Sequence, residues 1–167
     1  IAVPILIMTD IRTPARMTTL FETANDNYYY PVIYTAISTG LRQAELLGLR
    51  WRDIDLDMMA ISVNRVLHKR QGKCQFKEPK TNHSRRRVAM TPKLALYLRE
   101  YREEKEVESL LLGKLISDND LIFSTLGKSL LPNTVTHAWS KLVKKTGLKP
   151  IRFHDARHTH ASIMLKQ

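Results

Sequence analysis

The chain has 167 residues, room for one domain with a sizeable core. Its 27 Lys+Arg against 16 Asp+Glu give a formal charge of +11, which favours a polyanionic partner, nucleic acid before an anionic membrane surface. The single cysteine, Cys74, excludes an intrachain disulfide and a thiolate zinc cluster, and no apolar run reaches the length of a membrane span.

Residues 1–12 open with an apolar stretch interrupted by Pro4 that lacks the basic flank of a signal peptide; they read as an N-terminal segment or linker. Thr13-Pro14 predicts a helix start, a capping hydroxyl followed by a proline at the first helical position, with Leu20 and Phe21 facing a core. A second helix is expected from about Tyr28 or Pro31 to Ser38, ended by Gly40, and a third from near Arg42 to about Gly48. The texture then changes. Ile61, Val63, Arg65 and Leu67 alternate with Ser62, Asn64, Val66 and His68, the period of a strand. Turn signals at 71–73 and 80–84 divide residues 54–90 into an antiparallel sheet of about three strands.

Helices return at Thr91-Pro92, a second hydroxyl-plus-proline start. Leu94, Leu98, Tyr101 and the leucines at 110–112 are expected to form its apolar face, and the interleaved acids and bases of 99–108 a solvated one. Leu121, Ile122 and Phe123 read as an extended piece. A helix over about 133–146 carries Val135, Trp139, Leu142 and Val143 inward and ends at Gly147, and a last helix begins near His154. The fold class is therefore α+β, mainly helical, with a small antiparallel three-stranded sheet in the first half.

The positive charge is unevenly spread. Residues 65–87 hold nine Lys/Arg and one acid, Glu78. Cations concentrated on a hairpin can follow a phosphate backbone, which makes Arg65, Lys69, Arg70, Lys77, Arg85, Arg86 and Arg87 candidate DNA-binding residues, with Lys144 and Lys145 in a second basic stretch. Aromatic residues are sparse there, favouring a duplex over stacked single strands. The competing reading is a solubilising surface.

Three segments carry residue types suited to chemistry on a phosphate. In residues 39–51 (TGLRQAELLGLRW), Arg42 follows a glycine-terminated helix at the mouth of the next and can present its planar fork to an anion, while Glu45 can hold the local backbone or an arginine. In residues 78–87 (EPKTNHSRRR), Lys80 sits at a turn from which it can reach a site as a proton donor. In residues 153–162 (FHDARHTHAS), His154 and Arg157 are three apart and share one face at a helix start, where free backbone N–H groups also suit an anion. His154 and His158 also have the spacing of a zinc-binding helix, but no cysteine or third ligand accompanies them; His158 and His160 read as packing or supporting residues, and no metal is expected.

In order and spacing these segments resemble the catalytic domain of the tyrosine recombinases, the phage integrases. Residues 39–51, followed by Asp53-Ile54-Asp55, are similar to the family's first arginine box. Lys80 matches its hairpin lysine, His154 and Arg157 its His-x-x-Arg box, and the stretch from Leu131 to Trp139 the helix before that box. The resemblance covers about residues 13–167. Ala156 stands where many relatives carry leucine, a packing change. The family's nucleophilic tyrosine lies downstream of the His-x-x-Arg box, and none of the six tyrosines here does, so residues 13–167 are expected to be a catalytic domain cut before its nucleophile and inactive alone.

The resemblance implies site-specific recombination or integration of a phage or other mobile element. A tyrosine hydroxyl attacks the scissile phosphate, forms a 3′-phosphotyrosine and releases a 5′ hydroxyl. Arg42 and Arg157 would clamp the non-bridging oxygens, His154 would assist by hydrogen bonding or proton transfer, and Lys80 would protonate the leaving 5′ oxygen. No cofactor is implied. The implied partner is a double-stranded DNA attachment site, bound by a tetramer of the intact enzyme, with residues 1–167 alone monomeric. No membrane partner is expected, and the implied location is the cytoplasm of a bacterial host, at the nucleoid. The alternatives are a catalytically degenerate DNA-binding protein of the same fold, a metal-dependent nuclease using the histidines, and a type IB topoisomerase.

Overall fold

A computed structural model describes residues 14–70, 72–78, 85–148 and 150–155. Among them the order is α1 (Pro14–Ala24), α2 (Tyr30–Thr39), α3 (Gln43–Leu46), a single 3-10 turn (Trp51–Asp53), β1 (Ile54–Asp55), β2 (Ala60–Val63), β3 (Val66–Arg70), β4 (Lys73–Lys77), β5 (Arg86–Ala89), α4 (Pro92–Leu111), β6 (Ser124–Thr125), β7 (Lys128–Ser129) and α5 (Pro132–Lys145). The expected α+β class, mainly helical with a small antiparallel sheet, is the one observed.

Local chemistry sets the helix boundaries. Proline begins α1, and prolines occupy the first turns of α2, α4 and α5, where their missing N–H groups cost nothing. The Thr91 side chain accepts a hydrogen bond from Leu94 N, capping α4 as expected. Gly40, at φ 63°, ends α2 in a left-handed conformation that a Cβ would disfavour. The chain reverses there, and Leu41 is buried immediately after it.

Helix α2 buries seven of its ten residues and forms the centre of the core. Aromatic rings join it to its neighbours. Tyr34 meets Phe21 of α1 and Tyr97 of α4 edge-on, with centroids 5.1 and 5.0 Å apart. On α5 the buried Val135, Trp139, Leu142 and Val143 follow the helical period predicted for them. Helix α4 departs from expectation: Leu94 and Leu98 are buried, but Leu110, Leu111 and Leu112 are 59–82% exposed. Its first half packs on α2, whereas its second half extends past the core and is braced by surface ion pairs such as Arg102–Glu106 and Lys105–Glu108. Among the described residues no helix is long and apolar enough to cross a membrane.

Residues 54–90 form two structures rather than one sheet. A three-stranded antiparallel sheet has the order β1-β2-β5, with Ile61 opposite both Ile54 and Val88, and Val63 opposite Arg86. Strands β3 and β4 form a separate two-stranded ribbon. The continuous alternation of residues 61–68 spans both, because Asn64 and Arg65 carry the chain from one to the other without belonging to either.

Candidate active site

Arg42 is the N-cap residue of α3, with extended backbone (φ −71°, ψ 148°) between the glycine stop of α2 and the first turn of the next helix. Its side chain is 58% exposed, while Glu45, one turn on, is almost fully buried. Glu45 holds Arg42 twice: Oε2 accepts from the Arg42 backbone N at 2.8 Å, and Oε1 from Arg42 Nη1 at 3.3 Å. Of the two roles open to Glu45 in the sequence, holding backbone or holding an arginine, it performs both.

The stronger partner of Glu45 is Arg86. Its two terminal nitrogens donate to Oε1 and Oε2 at 2.8 and 2.9 Å, a two-point fork. Burial alone pushes the Glu45 carboxyl up. The Arg86 hydrogen bonds, the Arg42 backbone N–H and both positive charges outweigh that and hold it below the usual carboxylate range. The same pairing raises the Arg86 guanidinium against its own burial.

Arg86, expected among the phosphate-binding cations, is held by Glu45 and keeps 31% of its side chain exposed. The register explains why: Arg86 lies opposite Val63 and Val88 opposite Ile61, so both share the face of β5 that carries the buried residues of β2. Arg85 and Arg87 fall on the other face and are exposed, paired with the exposed acids Glu78 and Asp55. Counting by twos back from Val88 finds this signal in the sequence.

Arg65, also expected to contact DNA, has local partners as well. Its Nε donates to Gly48 O at 2.6 Å and its guanidinium lies 4.4 Å from the centre of the Phe76 ring. Burial, then the charge of Arg50, lowers it to about 10, partly opposed by Asp53. It anchors the ribbon to the end of α3. Lys69, Arg70, Lys77, Lys144 and Lys145 are exposed, as a surface for a polyanion requires.

The third segment is tied to the first through α5. Gln43, next to Arg42, donates through Nε2 to Pro132 O at 2.9 Å and to Thr136 Oγ1 at 3.2 Å, fixing the start of α3 on the first turn of α5. Seven residues further along α5, Trp139 donates from Nε1 to Ile151 O at 2.8 Å and meets Phe153 edge-on. Asp155 Oδ2 accepts from Arg152 N at 3.0 Å, an end-capping bond around the exposed His154. One helix thus braces the arginine turn at its start and the approach to His154 near its middle. Sequence reading placed Trp139 in the core but missed its N–H as a support for this segment.

Lys80, Arg157, His158 and His160 lie outside the described residues. Among the described residues no cluster of three His, Cys, Asp or Glu side chains could hold a metal ion. The described tyrosines are occupied structurally. Tyr28 Oη contacts Ser124 O and Thr125 Oγ1, and burial raises Tyr97 and Tyr101 well above an ordinary phenol.

Comparison with known proteins places the chain in a family. The chain is 32% identical over 143 residues to the ICEBs1 integrase of Bacillus subtilis (strain 168), covering 85% of this chain and 39% of that protein. It is also 32% identical over 146 residues to a XerC-like tyrosine recombinase of Caldanaerobacter subterraneus, covering 79% and 37%. It therefore spans less than two fifths of the length of these relatives. The fold is shared with a Tn1549 transposon integrase solved with circular-intermediate DNA (TM-score 0.76, 23% identity, 92% of this chain and 52% of that one). It is shared too with a XerA recombinase (TM-score 0.68, 23% identity, 92% and 50%). The pattern of the phage integrase family matches residues 13–167, and with the 32% identities over most of its length this chain belongs to that family.

Proposed function

We propose that residues 13–167 are the catalytic domain of a tyrosine-type site-specific recombinase, which cuts and rejoins duplex DNA through a 3′-phosphotyrosine. The observation that carries this reading is Arg42, presented at a helix start and fixed from behind by a buried glutamate that Arg86 neutralises. A guanidinium so held is pre-organised to stabilise charge on a phosphate without reorganising during the reaction. Arg157 would complete the clamp, His154 would donate a hydrogen bond or move a proton, and Lys80 would protonate the leaving 5′ oxygen. The tyrosine attacks phosphorus, the bond to the 5′ oxygen breaks, and the proton passes to that oxygen. Arginines and a lysine do the charge work in this scheme, so it requires no divalent metal.

The DNA reading draws support from the relatives. A Tn1549 integrase has been solved with transposon-end DNA, and a lambda integrase dimer with a core site. The exposed cations Lys69, Arg70, Lys77, Arg85, Arg87, Lys144 and Lys145 would contact the duplex, on an attachment site held by a tetramer of the whole enzyme in the cytoplasm at the nucleoid.

The test uses the protein carried to its natural C-terminus, incubated in EDTA with nicked duplex bearing its attachment site. An SDS-resistant protein–DNA adduct that is lost in Arg157→Ala supports covalent, metal-free tyrosine chemistry. Specific binding without an adduct identifies a degenerate DNA-binding member of the same fold.

A further inference from the structure

The pairing of β3 with β4 sorts the ribbon's side chains into two unlike faces. Residues directly opposite across an antiparallel pair share a face, and faces alternate along each strand. Leu67 lies opposite Phe76, and Lys69 opposite Cys74. That face holds the buried Leu67 and the half-buried Cys74, both packed on the core, and Arg65 covers Phe76. The other face is set by Val66 opposite Lys77, His68 opposite Gln75, and Arg70 opposite Lys73. All of these except Val66 are exposed. The outward face therefore offers three cations, a histidine and a glutamine, with no acid and no aromatic ring.

These cations differ from those of the next strand. Arg85, Arg86 and Arg87 are each paired with an acid, whereas among the described residues Arg70, Lys73 and Lys77 have no such partner. The ribbon is also firmly rooted. Arg65 Nε is bonded to Gly48 O, and a Cβ on Gly48 would lie 3.0 Å from Arg65 O, so the backbones cross in near contact. Gly48 ends the turn that Arg42 begins, and α3 between them is ~6 Å long. The ribbon and the candidate clamp thus stand on opposite ends of one short, rigid unit.

We propose that this outward face enters the major groove of duplex DNA beside the cleavage point, with His68, Arg70 and Gln75 reading base edges and Lys73 and Lys77 holding phosphates. The assignment rests on the recombinase reading above. The major groove, ~12 Å wide, admits a two-stranded ribbon and shows a distinct donor and acceptor pattern for each base pair, whereas the minor groove, ~6 Å wide, separates little more than A·T from G·C. Arginine matches the two acceptors of guanine, and glutamine the donor and acceptor of adenine, both on the major-groove edge. A surface that only follows phosphates needs positive charge alone. The neutral Gln75 opposite His68, at the middle of the face, supplies the mixed donors and acceptors that bases require and phosphates do not.

The experiment selects bound sequences from a library of randomised duplexes with the full-length protein, its Arg70→Ala/Gln75→Ala variant, its Lys73→Ala/Lys77→Ala variant and a Lys114→Ala control. All substitutions are at exposed positions, and circular dichroism checks that each protein folds. The wild type and the control should enrich the same short run of base pairs. Arg70→Ala/Gln75→Ala should flatten the preference over that run while leaving the rest of the site unchanged. Placing 7-deazapurines in the run should weaken wild-type binding about tenfold and the double variant not at all. Lys73→Ala/Lys77→Ala should weaken all duplexes alike and reduce the dependence on salt by about one charge per lysine. If Arg70→Ala/Gln75→Ala lowers affinity for every duplex equally, or changes nothing, base reading by the ribbon is overturned although the recombinase assignment stands. If the wild type binds no duplex, that assignment itself falls, and the ribbon proposal with it.

Discussion

Arg86 Nη1 and Nη2 lie 2.8 and 2.9 Å from Oε1 and Oε2 of Glu45, a parallel two-point pair joining β5 to the helix turn that presents Arg42. The Glu45 side chain is 4% exposed and that of Arg86 31% exposed, so the carboxylate depends on its arginines in place of water. Removing one partner of such a pair strands a buried charge. Arg86→Ala is therefore expected to destabilise the domain by about 3 kcal/mol, and Arg86→Lys, which keeps the charge and loses the fork, by about half of that. Urea unfolding measures both, and a loss below about 0.5 kcal/mol for Arg86→Ala would place the pair among ordinary surface bridges.

The same carboxylate gives the domain a pH dependence. Its folded-state value lies below the 4.5 of a free glutamate, so the stability it contributes is fully present above 4.5 and is lost as pH falls through the depressed folded value. Unfolding free energy measured from neutral to acid pH should decline more steeply in the wild type than in Glu45→Gln. Parallel curves for the two proteins would contradict the assignment.

Gly48 is required for space. A Cβ there would lie 3.0 Å from Arg65 O and 3.3 Å from both Arg65 C and Glu45 O, all backbone atoms that cannot turn aside. Gly48→Ala is expected to cost about 1–3 kcal/mol and to speed amide exchange in β3, as the ribbon root is pushed away from α3. Unchanged exchange in β3 would show that the contact relaxes elsewhere.

Trp139 is completely buried, and its Nε1 satisfies Ile151 O. Trp139→Phe keeps an aromatic ring but leaves that carbonyl without its donor, at an expected cost of about 1–3 kcal/mol. The loss should be local: amide signals of residues 151–155 should broaden or shift while those of β2 and β5 remain. A global change in the spectrum would mean that the tryptophan acts as core volume alone.

On the recombinase reading, Arg42→Lys in the full-length protein should lower the rate of adduct formation about 10²–10³-fold, because a point charge cannot replace the planar fork. Duplex affinity should change little, since many other cations contribute to it. Near-normal cleavage by Arg42→Lys, measured on nicked duplex in single turnover, would remove Arg42 from the phosphate clamp.

The sequence by itself determined what short-range sterics and periodicity govern. Thr91-Pro92 and Gly40 fix helix ends because capping, a missing N–H and a left-handed backbone act within a few residues. The inward stripe of α5 follows from the helical period alone, and the residues around Arg42 and Glu45 announce their local pairing by their spacing of three. Only the tertiary structure decided which cations are free. Arg86 and Glu45 are 41 residues apart, and whether an arginine meets a carboxylate or water depends on strand register, set by β2 and not by the run of three arginines. The division of residues 54–90 into a sheet and a separate ribbon had the same origin: alternation continues through Asn64 and Arg65, but hydrogen-bonded partners change there. The leucines at the end of α4 likewise keep a helical pattern but stay exposed, because among the described residues no element packs over that half of the helix.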